Sequence, residues 1–448
     1  QPDAIIIIPN AKSVLATADN SHLVAPKETL YSISKLYSVS IEELQNANPT
    51  LISEGLKAGQ NLVIPNKSSV ILNIASANKP LFGKPLSTLI KSTASSKKEL
   101  VFLLPFNISK IESDTINTIP YKLKKDKFLN MTLDFYSGVL MAIDSAKTIG
   151  LNINIKIYDS EETKNSSSIP SLIQQNKLQK ANAIIGPFYQ FNIDVLAQSL
   201  GTKSIPILSP LSKETGKSSN IYQSMPTNDD CKAAMMNYIF KNKGNLIALI
   251  DSKKASLKDY LKSNNYKNKI VGLNPNGLVV KDSLRKLLVR NKLNYIILDS
   301  QKTGFILAAT NAMISLMTDY QLQMVILEPN PTLDFYEIDL TRLVKLKMMY
   351  PSIVRENLSP EAEIFRNKYK KINKIFPNQF AIRGFDLVFD TMMRLSQEED
   401  FKSVSENYTT EQIENKFNYT KNSLNTYSNK GIYILNYEPD LTLKQASE

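Results

Sequence analysis

The segment ANAIIGPFYQFNIDVLAQSLGTKSIPILSPLS, residues 181–212, holds two short apolar runs with a helical pattern between them. The runs, ANAIIGP and SIPILSP, are continuously apolar at their centres rather than alternating, and the helical stretch lies near 192–200. A strand that is apolar at every position is buried on both faces, the condition of a strand inside a parallel sheet. The rhythm continues outward on both sides. Before it stand LVFLLPF ending at Phe106, a helical stretch at 129–147, INIKIYD at 153–159 and a helix near 169–180. After it come IYQSMPTND at 221–229, a helix at 231–241, and the runs NLIALID, LNYIILD and MVILEP, each beside a helical stretch. Two such series in succession mean two α/β lobes. In the helix at 129–147, helical spacing puts Leu129, Leu133, Tyr136, Leu140 and Ile143 on one face.

The order of these segments carries a resemblance. ANAIIGPFYQ, SIPILSPLS and IYQSMPTND are followed by KLKMMYPSIV (345–354), FRNKYKKI (365–372), FPNQFAIRGFDLVFDTMMRL (376–395) and NKGIYILNYEPDL (429–441). From residue 99 to about 442 the chain resembles the type I periplasmic binding proteins of the branched-chain amino-acid receptor class. The resemblance implies a bilobed domain, assigned here to 99–448, with a cleft between two parallel-sheet lobes. Ligands of open α/β sheets bind outside the carboxyl ends of the strands. The candidate cleft residues are therefore Phe106, Asn107, Gly186, Phe188, Tyr189, Ser209, Ser212, Thr227, Asn228, Asp251, Ser252, Asp299, Ser300 and Glu328. The chain departs from the amino-acid receptors at two places. Bulky Phe188 and Tyr189 stand where those proteins have a small hydroxyl, and Gln223 and Ser224 stand where they often carry a cation or an aromatic. Acids are at hand for an ammonium group, but no arginine is evident for a carboxylate, and a buried free amino acid needs both.

Further outward, residues 22–65 read HLVAPKETLYSISKLYSVSIEELQNANPTLISEGLKAGQNLVIP. Leu23 and Val24 open a strand and Leu62, Val63 and Ile64 a second. Leu30, Ile33, Leu36 and Tyr37 recur at helical spacing after Thr29, and Ser40 with Glu43 forms a capping box for a second helix. Asn48-Pro49 ends that helix, because the residue before proline is pushed out of the helical region. This βααβ unit resembles a LysM module, which holds the glycan strands of peptidoglycan and chitin. The resemblance implies a glycan groove at Glu28, Thr29 and Leu30 and at Asn48, Pro49, Thr50, Leu51 and Ile52. Lys27 replaces the family's usual glycine. The layout is an N-terminal extension (1–20), the LysM module (21–66), a basic linker (67–98) and the bilobed domain. The linker has six lysines and no acid, half of the chain's formal charge of +12, and as a coil it reaches roughly 30 Å.

Composition bounds the rest. At 448 residues, with 42% hydrophobic and 21% charged residues, the chain is that of an ordinary globular protein of two or three domains. No apolar run approaches the roughly 20 residues of a transmembrane helix, and the start at Gln1 reads as a processed terminus. His22 is the single histidine and Cys231 the single cysteine, so an HExxH site and an internal disulfide are excluded, and Ser-His-Asp or Cys-His chemistry nearly so. ETGKSS at 214–219 ends like a phosphate loop, but Leu211 stands where its first glycine belongs. Asp229-Asp230 reads as a helix start, and Glu161-Glu162 and Glu398-Glu399-Asp400 as solvated acidic runs. No residues group into a catalytic, metal or cofactor pattern, and no nucleic-acid reader motif is present. The expectation is a non-enzymatic envelope protein of the periplasm, associated with the cell wall at the inner face of the outer membrane. It would hold peptidoglycan through LysM and an envelope protein partner through the bilobed domain. The resemblance includes outer-membrane activators of penicillin-binding synthases, which use this fold to contact a protein. The alternative is a periplasmic receptor for an amino acid, peptide or muropeptide.

Overall fold

In the computed structural model the described residues are 21–24, 30, 33, 41–51, 55–64, 89 and 97–446, except 176, 202, 203, 253, 265, 267, 334–336 and 423. They belong to two units, Gln1–Lys79 and Pro80–Glu448. Glu28, Thr29 and Ile52 of the expected groove, Ser40 of the capping box, the extension 1–20 and nearly all of the basic segment lie outside the described residues.

In the first unit β1 (Ser21–Leu23) pairs antiparallel with β2 (Asn61–Val63), His22 opposite Leu62. The helix Ile41–Ala47 stops at Asn48-Pro49 as its sequence requires. Val24, Ile33, Leu44, Leu51, Leu62 and Ile64 form a core of six buried side chains. Gly59 takes φ +82 at the turn into β2, a conformation that favours glycine, and donates its N–H to Val24 O at 2.8 Å.

The second unit is two lobes. In lobe one, β3 (Lys98–Leu104), β4 (Ile153–Asp159), β5 (Ala183–Ile185), β6 (Ile207–Ser209) and β7 (Ile221–Gln223) run parallel in the order β4-β3-β5-β6-β7. Lobe two repeats the plan with β8 (Asn245–Ile250), β9 (Lys269–Ile270), β10 (Asn294–Asp299), β11 (Leu322–Val325) and β12 (Met349–Ser352), ordered β9-β8-β10-β11-β12. The chain then returns to lobe one through the helices Pro360–Asn373, Gln379–Leu395 and Phe401–Asn407. The pair β13 (Thr410–Glu411) and β14 (Lys416–Phe417) follows, and β15 (Tyr419–Lys421) and β16 (Tyr427–Asn429) add to the first sheet beyond β7. Finally β17 (Tyr433–Tyr437) extends the second sheet antiparallel to β12, and β18 (Leu443–Gln445) pairs antiparallel with β17 at its edge. Three crossings therefore join the lobes, and each sheet reverses strand order between its first and third strands. Those switch points face the cleft.

Both sheets are covered on both faces, as their continuous apolar runs demand. Leu100, Phe102 and Leu104 of β3 face one core, and Val101 and Leu103 face the other. The helix Lys127–Thr148 starts at Asp126, whose carboxylate accepts the N–H groups of Phe128 and Leu129 at 3.0 Å each. Its buried face differs from the expected one. Leu129 and Ile143 are buried as expected, together with Thr132, Phe135, Val139, Ala142 and Ala146, but Leu133 and Tyr136 are half-buried and Leu140 is 46% exposed. The cause is the crossing with Gln379–Leu395. A Cβ on Gly138 would lie 1.9 Å from Ala381 O, and one on Gly384 would lie 2.1 Å from Phe135 O. Backbone meets backbone there, so the glycine seam rather than the widest apolar stripe sets the rotation.

Candidate functional site

The residues expected in the cleft gather at the carboxyl ends of the strands, but most are already bonded within their own lobe. In lobe one, Gly186 follows β5 at φ +96, with room for no Cβ because Leu103 O would lie 2.1 Å away. That turn places Phe188 inward, 4% exposed, edge-to-face on Phe135 at 5.3 Å and Phe128 at 6.3 Å. Tyr189 stacks on Phe128 at 5.2 Å. The two aromatics are wall and filling of lobe one.

Their backbone N–H groups converge on a carboxylate that the sequence reading placed in solvent. Glu162 is 2% exposed. Its Oε1 accepts Phe188 N–H at 2.8 Å and Ser160 Oγ at 3.1 Å, and its Oε2 accepts Tyr189 N–H and Asn192 Nδ2, both at 3.0 Å. Burial pushes the Glu162 carboxyl above its ordinary range, against those four hydrogen bonds. Glu161 is exposed as expected, and its φ of +42 turns the next residue inward. Exposed N–H groups at the start of a helix are where a small anion binds; here they hold a side chain. Asn107 is beside it, its Nδ2 donating to Glu162 O at 3.3 Å.

Ser212 Oγ accepts the N–H of Glu214 in a local turn. Thr227 and Asp230 form a reciprocal capping box on the helix Asn228–Lys241, and Asn228 Oδ1 accepts Lys213 Nζ at 3.3 Å. In lobe two, three lysines pair with the three expected acids. Lys302 meets Asp251 at 2.9 Å, Lys254 is 4.0 Å from Asp299, and Lys232 meets Glu328 at 2.7 Å. Burial raises the Asp299 carboxyl, opposed by Lys254. Around Lys232, Lys254, Asp299 and Glu328 the free space is 60 Å³, and a second cavity between Lys213, Asn228, Glu328 and Tyr437 has 230 Å³. Pockets for drug-sized ligands run from about 300 to 1,000 Å³. Lysine does not mark such a role in a sequence this basic, which is why the three cations went unread.

Three side chains in the cleft keep unsatisfied atoms among the described residues. Asn107 Oδ1, Ser209 Oγ and both polar atoms of Gln223 are buried without a hydrogen-bond partner, and Ser209 and Gln223 are directly paired positions of β6 and β7. An arginine is also present after all. Arg383, from the helix Gln379–Leu395, donates to Pro210 O at 3.3 Å and Asn415 Oδ1 at 2.7 Å. Burial lowers its guanidinium to about 10. Beside it Asp386 accepts the N–H groups of Ile413, Glu414 and Asn415, fastening the β13–β14 hairpin to that helix. Cys231 is part-buried and burial raises its thiol to about 11, so it stays protonated at neutral pH. No cluster able to hold a metal ion exists among the described residues.

In the small unit, Asn48 is a clamp. Its Nδ2 donates to Leu44 O at 2.9 Å and Val63 O at 2.7 Å, and its Oδ1 accepts Val63 N–H at 2.8 Å. Leu51 is in the core, Leu30 packs against it, and Pro49 and Thr50 are exposed. Of the expected groove residues in the described part, Pro49 and Thr50 thus offer the surface, whereas Asn48 and Leu51 build it.

Residues 22–65 are a LysM domain by match to that family's model. No curated protein sequence matches the chain. Among solved structures, a branched-chain amino acid ABC transporter protein from Rhodospirillum rubrum superimposes with a TM-score of 0.52 at 12% identity, covering 78% of this chain and 100% of that one. LivJ from Streptococcus pneumoniae in complex with isoleucine has a TM-score of 0.39 at 13% identity, covering 79% and 99%. The LpoA (YraM) C-domain from Haemophilus influenzae, a regulator of PBP1A, has 0.48 at 9% identity, covering 78% and 100%. The second unit has the type I periplasmic-binding-protein fold, two parallel-sheet lobes joined by three crossings.

Proposed function

We propose that this chain is a non-enzymatic cell-envelope protein held on peptidoglycan by its LysM domain, with the bilobed domain serving as an interaction or regulatory module of an envelope complex. The observation that carries the second half is Glu162. Its carboxylate takes the N–H groups of Phe188 and Tyr189 that face a cleft ligand's position, while Phe188 fills the wall and lysines neutralise the acids opposite. A cleft whose helix-start N–H groups and acids are already engaged from within supports recognition of a protein rather than capture of a solute. The test is a thermal-shift series of the full chain with amino acids, short peptides and muropeptides. A ligand at a hundred times its Kd stabilises by about 2.7 kcal/mol, so the expected result is no shift. A clear shift with one of them supports the receptor reading, which the unpartnered Ser209 and Gln223 favour. Wall binding is tested by co-sedimentation with insoluble peptidoglycan: the full chain pellets, and a chain lacking residues 1–66 does not. High salt removes attraction due to the exposed lysines alone, since charges are screened beyond about 8 to 10 Å near physiological ionic strength.

A further inference from the structure

We propose that the end of the helix Pro360–Asn373 and the turn after it, Lys370 to Phe376, dock the bilobed domain on a membrane surface rich in anionic phospholipid. Along one side of this helix Ala362, Phe365 and Tyr369 are buried in lobe one. Its other apolar residues are not: Ile364 is 64% exposed and Ile372 57%, and past the helix end Ile375 is 58% and Phe376 57% exposed. No described residue covers them, and four large apolar side chains on one helix and its end are more than the scattered exposure of an ordinary surface.

At the helix end, around Ile372, Ile375 and Phe376, the sequence is basic, and the helix's own acids, Glu361 and Glu363, stand at its other end. Lys368, Lys370, Lys371 and Lys374 occur between residues 368 and 378 with no acid among them. The nearby acids are engaged: Asp144 by Lys368, and Asp134 by Asn378 Nδ2 at 2.6 Å. Lys370, Lys371 and Lys374 have no acidic partner among the described residues, and the Lys370 ammonium is 4.2 Å from the centre of the Phe376 ring. Lys374 takes φ +64 and ends the helix, so the exposed apolar pair Ile375–Phe376 stands just past the helix end. Isoleucine and phenylalanine at a helix end, bordered by lysines, match an interface that is apolar below and anionic above, and a fluid surface needs no complementary shape. An acidic protein groove would demand such a shape. The inference is independent of the glycan reading.

The chain contains no tryptophan, so F376W makes a one-tryptophan full-length protein. Mixed with phosphatidylglycerol-containing vesicles, its fluorescence is expected to shift to the blue and to be quenched by brominated lipid, with little change on pure phosphatidylcholine. In vesicle flotation the full chain should rise with the anionic vesicles. I372S/I375S/F376S should stay at the bottom, and K370E/K371E/K374E should lose on the order of tenfold or more in partition. The basic segment 67–98 is intact in both variants, so flotation of I372S/I375S/F376S equal to that of the natural chain would overturn the proposal. So would fluorescence that ignores vesicles from F376W protein melting at the temperature of the natural chain, or a blue-shifted F376W dimer in their absence, which would assign the tip to a second copy of the chain.

Discussion

At Glu162 two backbone N–H groups, an amide and a hydroxyl converge on one carboxylate of the same chain. Removing it exposes four donors in a site shaped for an anion. E162A is expected to lose about 1–3 kcal/mol of stability, the penalty for stranding buried donors, and acetate should restore part of it while chloride does not. Acetate that leaves the melting temperature of E162A unchanged would show that the site needs its tether. Asn48 has a comparable role in the LysM domain, where one amide holds the end of a helix and both backbone groups of Val63. N48A strands those groups in a domain with six core side chains. It should unfold the LysM domain by about 2–3 kcal/mol and abolish pelleting with peptidoglycan, with the melting of the bilobed domain unmoved.

Among the elements, the crossing of Lys127–Thr148 with Gln379–Leu395 brings backbone against backbone, and it rests on glycine. G138A and G384A each place a methyl group on a backbone carbonyl of the facing helix. The overpacking cost of about 1–3 kcal/mol exceeds the roughly 1 kcal/mol gained in helix propensity, so both should melt earlier than the natural chain. G304A, on an exposed helical site with nothing within 4 Å of the added Cβ, should be neutral or stabilising by up to about 1 kcal/mol. The β13–β14 hairpin makes this region sensitive to pH. Burial raises Asp386 to about 6 and, with Asp386 beside it, Glu414 to about 7. Both groups bind protons more tightly folded than unfolded, so their contribution is complete below about 4 and is lost as pH rises through 6 to 7. E414Q mimics the neutral form. It should leave the melting temperature unchanged near pH 4 and raise stability near pH 8 by roughly 1 kcal/mol, reduced from the full shift by partial solvation. An equal effect at both pH values would mean that Glu414 is not the titrating group. The central strands β3, β5, β6, β8, β10 and β11 were legible in the sequence because a strand buried on both faces is apolar throughout, whereas the short β9 and β13 to β16 were not. The rotation of Lys127–Thr148 was not, because Gly138 and Gly384 carry no hydrophobic signal until they meet. Nor was Glu162 legible, because the positive φ of Glu161 that turns it inward leaves no mark in a run of acids.

Among the described residues the two units have separate cores, one of six side chains in the LysM domain and four clusters in the bilobed domain. A single LysM groove makes few contacts, and joining it to a second binding unit raises the local concentration of that unit at the wall without any new contact. Such a division of labour predicts that the units can be separated. The fragment 80–448 keeps Leu89, which packs against the core of lobe one, and it should unfold in the same transition as in the full chain. It should retain its protein partner when captured from solubilised envelopes and fail to pellet with insoluble peptidoglycan. The fragment 1–79 should do the reverse. Capture is measured by mass spectrometry of the co-purified proteins, with the full chain in parallel. If 80–448 folds but loses the partner that the full chain holds, recognition requires residues of both units, and a LysM domain acting only as an anchor is the wrong description.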